Sequence, residues 1–239
     1  MTTPRYIAFH NSKSIHAAVV ARYEDSARLK QGIGYDWKTG CGCLMGLLLN
    51  EFHTDRIGKL FEEETNLPAP LAHVLNLAFE SSPTGLAEDL PAMFFGTLAT
   101  GAVADNFMLG LVQSVAEVMF EASVAVHPDI HSCSEDILNI YRQWNARNGR
   151  KIAYYQYELY VRQAAIDMTL ANKVPHLAPE VHWWYTQLHA LAGLAEDDTL
   201  APHHLIRNLM ENGVLTPQKL ISMLMQEVLA TPVTIPLAA

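Results

Sequence analysis

The first concentration of reactive side chains is Lys38-Thr39-Gly40-Cys41-Gly42-Cys43-Leu44-Met45-Gly46, in which one glycine separates two thiols. Gly40 and Gly42 allow the backbone to turn sharply. The apolar run that follows predicts a short helix over about Cys43 to His53. Both thiols then fall at or just before a helix start, where unpaired amides and the positive dipole end favour a thiolate. Cys41 and Cys43 are therefore the candidate catalytic nucleophiles or metal ligands, with a histidine as base. His53 lies too far along the helix axis to reach Cys43 locally, and His10 reaches it only through the fold. The competing reading makes Cys43 a small buried hydrophobe among Leu44, Leu47, Leu48 and Leu49. A disulfide between residues two apart would be strained.

The second concentration is His127-Pro128-Asp129-Ile130-His131-Ser132-Cys133. His127, His131 and Cys133 offer three ligands to zinc or a similar ion, without a clear fourth. Alternatively Ser132 and Glu135 form a capping box and the remaining groups are ordinary loop residues. Asp105 heads a very apolar helix, where its carboxyl would be raised and suited to a general base, or would serve as an N-cap. His182 and His189 lie seven apart, about 10.5 Å along a helix, too far to share one ion. Trp183, Trp184 and Tyr185 between them read as packing at a helix contact or as a surface for a partner. His203-His204 reads as a solvated first turn.

The elements that must position these groups are helical. Alternating runs bounded by hairpin dipeptides are nearly absent, and only Val233 to Ile235 looks extended. Helix starts are expected after Ser12 or Ser14 (running to Gly32), at Thr54, at Pro68 and Pro70, near Asp105, at Ser132, at Pro179, at Thr199 and at Thr216-Pro217. Breaks are expected at Pro83, Pro91, His127-Pro128 and Asn148-Gly149. Asn106, Gly110, Gln113, Glu117 and Glu121 form one narrow polar stripe on a central helix. Tyr154, Tyr157, Val161, Ala164 and Met168 share a face of a later helix. The expected fold is all-α, a bundle of roughly nine or ten helices in one domain spanning 1–239, any subdomain boundary falling near 127–132. A mixed α/β arrangement is the alternative.

Half of the 239 residues are hydrophobic and 17% are charged, enough to bury a sizeable core. The net charge of -9 and the lack of any Lys/Arg run exclude a general nucleic-acid or anionic-membrane surface. Asp105 splits the apolar stretch from Pro91 to Val126, so buried helices are expected there rather than a span. A polar start without a leader pattern, and three cysteines, fit a soluble cytoplasmic protein. No phosphate loop, dinucleotide fingerprint, nucleophile elbow, His-Glu-x-x-His or di-iron pattern occurs, and no motif names a cofactor.

Phe9-His10, then Gly34-Tyr35 and Trp37, then Gly42-Cys43 with Gly46, match a pattern extending over about the first half of the chain. In these residues the sequence resembles a widespread family of uncharacterised bacterial proteins, which carry a glycine-tyrosine-glycine loop before glycine-cysteine-two residues-glycine-cysteine. Here Leu47 stands where that pattern has its second cysteine, Asn50 where it has histidine and Cys41 where it has lysine. The resemblance implies a shared structural or binding element around the aromatic loop and Cys43, and no activity. The leading expectation is a helical protein that binds a small molecule or a protein partner, with His10, Tyr35 and Trp37 as ligand contacts. The alternatives are a thiol- or metal-dependent enzyme using Cys41 and Cys43, and an enzyme with dispersed acid–base residues such as Asp105. A homo-oligomer is compatible with either class.

Overall fold

The computed structural model describes residues 4–51, 55–173, 177–195 and 200–233. It is all-α. Eleven helices are present among the described residues: α1 Lys13–Ala21, α2 Leu44–Leu49, α3 Ile57–Thr65, α4 Ala69–Ser81, α5 Thr84–Thr97, α6 Phe107–Ser123, α7 Pro128–Ala146, α8 Ile152–Lys173, α9 Pro179–Gly193, α10 His203–Glu211 and α11 Pro217–Ala230. One two-stranded antiparallel hairpin joins β1 (Tyr35–Asp36) to β2 (Cys41–Gly42), with Tyr35 opposite Gly42 and Asp36 opposite Cys41. Among the described residues no helix is long and apolar enough to cross a membrane. The expected starts at Thr54 and Thr199 lie outside the described residues.

Backbone contacts divide the chain into two compact units, Met1–Phe107 with Thr216–Ala239, and Met108–Leu215. The segment near 127–132 lies within the second unit, at the head of α7.

In the first unit α2, α3 and α4 pack on one another, α4 packs on α5, and α11 covers both α4 and α5. Leu44, Met45, Leu48, Phe61, Leu71, Phe94 and Phe95 are fully buried there. Ser12 caps α1 as expected, accepting the Ile15 N–H at 3.4 Å. The helix ends at Ala21 rather than Gly32. Beyond it Tyr23 turns inward, stacks on Phe95 at 5.5 Å and donates its hydroxyl to the Leu44 carbonyl at 2.9 Å. Asp25 then accepts the Ala27 N–H and starts a separate three-residue turn. Pro91 does not break the chain; it lies inside α5. The ring costs one helical hydrogen bond, and burial of Leu90, Phe94 and Phe95 around it holds the helix together.

In the second unit the expected polar stripe of α6 meets α7. Asn145 Nδ2 donates to Gln113 Oε1 at 2.9 Å, Gln113 Nε2 to Glu117 Oε1 at 3.1 Å, and Arg142 reaches the same oxygen at 3.3 Å. α7 starts at Pro128, not Ser132, because Pro128 occupies the first helical position and the His127 ring caps it. Asn148 and Gly149, both at positive φ, separate α7 from α8 as expected. Tyr141, Trp144 and Tyr155 stack in sequence at 6.2 and 5.9 Å, and α8 packs on α7 and α9.

Tyr141 is fully buried and donates its hydroxyl to the Leu191 carbonyl at 2.8 Å, fifty residues away. Removing one partner of a buried hydrogen bond strands the other. Tyr141→Phe is therefore expected to lower the unfolding free energy by about 1–2 kcal/mol in denaturant titrations; an unchanged midpoint would show that this bond contributes nothing.

Candidate functional site

The thiol loop is built around backbone contact. Cys43 N–H donates to the Ile33 carbonyl at 2.7 Å and the Gly34 carbonyl at 3.0 Å, bringing Gly34-Tyr35 over the start of α2. A side chain at Gly42 would place its Cβ 2.6 Å from the Gly34 oxygen, and one at Gly46 would overlap that oxygen outright. The spacing Gly42-Cys43-x-x-Gly46 is thus demanded by packing. Cys43 is itself the N-cap of α2, its sulfur accepting the Gly46 N–H at 3.3 Å. Placement at a helix start is as expected, but the ionisation runs the other way. Burial pushes the Cys43 thiol up to about 11, Glu80 adds to this, and the Gly46 N–H opposes it. The helix has six residues, and desolvation outweighs its dipole. Cys41 is half-buried in β2, and all three cysteines are free. His53 lies outside the described residues.

Tyr35 and Trp37 meet edge to face at 4.9 Å, and Trp37 is 73% exposed. His10 does not join them; its Nε2 donates to the Glu63 carbonyl at 3.0 Å. Phe9, His10 and Asn11 form a left-handed turn with φ between 52 and 56°. Buried Phe9 holds the turn, stacked on His16 at 4.2 Å. Asp105 is neither a buried base nor the cap of α6. It is exposed, and its two carboxylate oxygens accept the Arg5 and Tyr6 N–H groups at 3.1 and 2.6 Å, tying down the N-terminal segment.

His127, His131 and Cys133 do not converge, which corrects the expected metal set. His127 Nδ1 accepts the Asp129 N–H at 3.2 Å. His131 stacks on Phe120 at 4.5 Å, and its Nδ1–H donates to Ser123 Oγ at 3.0 Å, because that hydroxyl's own proton goes to the Phe120 carbonyl. Cys133 instead lines a cleft of about 250 Å³ with Asp136, Arg162 and Tyr185. Its thiol is also pushed up to about 11 by burial and by Asp136, against the pull of Arg162. Among the described residues no three His, Cys, Asp or Glu side chains form a metal-holding group. The helical phase explains the separation: once α7 begins at Pro128, residues 131 and 133 point about 200° apart.

A larger cleft of about 610 Å³ opens in the same unit. It is lined by Ala122, Ala125 and Val126 after α6, Glu180, Trp183 and Trp184 on α9, and the Asn212-Gly213-Val214 turn after α10. Gly213 holds φ at 72°, and Val214 N–H folds back to the Leu209 carbonyl, bringing that turn in. Trp184 is buried and stands at 85° to half-buried Trp183, their centroids 5.3 Å apart. The tryptophans were visible in the sequence as a packing cluster. Glu180 and residues 212–214 were not, since nothing local relates a helix start to a turn thirty residues later. His189 lies elsewhere on α9, paired with Asp167 at 3.1 Å.

Two outcomes follow for the thiol loop. Gly46→Ala is expected to destabilise by about 3 kcal/mol or more, because the obstacle is a backbone oxygen rather than a flexible side chain. Gly85→Ala in α5, which meets nothing within 4 Å, is expected to be neutral or stabilising in the same thermal melts. The raised Cys43 value means that the unfolded chain ionises first, above its ordinary 9.0. The stability contributed by the neutral thiol is thus present below pH 9.0 and lost as pH rises toward about 11. Relative to Cys43→Ser, the wild-type chain is expected to weaken across that window, and parallel pH–stability curves would contradict it. Compared with known proteins, the chain matches no family model, no curated protein and no solved structure.

Proposed function

We propose that this protein is a non-catalytic binder of a small organic cation, taken up in the Trp183 cleft. The observation that carries the reading is the half-buried Trp183, set at right angles to Trp184 in a cleft that Glu180 also lines. A volume of about 610 Å³ lies in the range of small-ligand sites. An indole is the best aromatic partner for a cation, and Glu180 supplies the opposite formal charge. Ala122, Ala125 and Val126 form a small apolar wall for a hydrocarbon body. The net charge of -9 favours approach of cations over anions. Burial of Cys43 weighs against the thiol-enzyme alternative, because a neutral buried thiol is a poor nucleophile.

Phenethylamine serves as a probe, with phenylacetate as its anionic counterpart, in isothermal titration of the full chain. Binding of the amine and none of the acid is expected. Trp183→Ala and Glu180→Gln should each weaken it roughly tenfold. Equal binding of the two probes, or amine binding unaffected by both substitutions, would overturn the reading.

A further inference from the structure

The two faces of α8 have opposite surroundings. Tyr155, Leu159 and Ile166 are buried within the second unit. On the other side Tyr154, Tyr157, Tyr160, Val161 and Met168 stand 53, 63, 59, 42 and 66% exposed. With Ile152 at the helix start, these make up half of the large hydrophobic side chains exposed among the described residues. Scattered apolar exposure is ordinary, but a contiguous stripe on one helix is not.

The stripe has a definite period. Tyr154, Tyr157, Val161, Ala164, Met168 and Ala171 recur at alternating steps of three and four, the heptad spacing of a helix–helix seam. It contains no charged residue. Tyr154 is already oriented, packed edge to face on buried Tyr155 at 5.0 Å. Ala153 and Ala165 are exposed beside it, Ala171 is exposed within it, and all three leave room for close approach by another helix.

We propose that α8 is a dimerisation helix, pairing antiparallel with α8 of a second copy of this chain across a two-fold axis. The order of side-chain sizes selects this partner. In the antiparallel register Tyr154 faces Ala171 of the second copy, Tyr157 faces Met168 and Val161 faces Ala164, so each layer sets a larger side chain against a smaller or more pliable one. A parallel register would stack tyrosine on tyrosine in two layers at one end and alanine on alanine in two layers of the other half, crowding one end and leaving voids toward the other. The flanks agree. The antiparallel axis sets Glu158 between Ala165 and Asn172 of the second copy and Asp167 beside its Tyr160, so two chains of net charge -9 meet without opposing carboxylates. From the exposures above, the stripe offers roughly 600 Å² per copy, about 1,200 Å² for the pair, at the lower edge of specific interfaces. Because the stripe is isologous, the same patch serves both subunits and the assembly closes at two.

The test uses the full chain. Sedimentation velocity at ~100 μM, above the micromolar constants that modest interfaces reach, is expected to give a dimer. Tyr157→Glu and Val161→Glu should return it to monomer with unchanged far-ultraviolet circular dichroism, since both side chains are exposed. Register is read by oxidative cross-linking against the wild-type background. A Tyr154→Cys, Ala171→Cys double variant should link between copies, and neither single variant should. A wild-type monomer, a dimer unaffected by both glutamates, or efficient linking of a single variant would overturn the proposal. None of these readouts depends on the Trp183 cleft.

Discussion

Where a side chain would stand on Gly46, the Gly34 carbonyl already lies. That contact, with the matching one at Gly42, seats the β1–β2 hairpin on the start of α2. Once seated, the loop gives Cys43 its two backbone acceptors and closes water off from its sulfur. The helix start still does what a helix start does, since the sulfur accepts an N–H. A thiolate, however, would have to be formed without solvation, and six residues of helix do not supply enough field to offset that. The motif with the greatest chemical promise in the sequence thus seats the hairpin on α2 and buries one of its two thiols.

The second unit shows how polar groups are spent in so apolar a protein. Gln113, Glu117, Arg142 and Asn145 satisfy one another between α6 and α7, and buried Tyr141 satisfies the last turn of α9. Those contacts, with the stacking of Trp144 on Tyr155, occupy one side each of α7, α8 and α9. What remains uncovered is informative for that reason: an aromatic cleft at the head of α9 and the tyrosine-rich outer face of α8. Both are regions where aromatic area is exposed without the need for it that a core would impose.

Much of the helical layout was legible because it is written in local chemistry. Ser12 and Thr216 cap the helices they precede, Pro179 and Pro217 open theirs, and Asn148-Gly149 separates α7 from α8. Misreadings arose where a tertiary contact overrode a local signal. Tyr23 found a buried carbonyl and ended α1 early; Pro91 was carried through α5 by the side chains around it. His127, with a ring nitrogen that caps as well as a hydroxyl would, took the place assigned to Ser132. That five-residue shift of the cap alone was enough to send His131 and Cys133 to different neighbours.

Period, caps and turn residues determined by themselves that this chain is all-α, because helical hydrogen bonds close within four residues and their signals are short-range. They also displayed the heptad face of α8, since a face is only a spacing. Whether a face is core or surface, and whether a thiol is reactive or buried, was decided in three dimensions alone. Burial depends on what a distant segment covers, and desolvation follows burial: Gly34 lies over Cys43 and the 212–214 turn beside Trp183, whereas Tyr157 stays exposed.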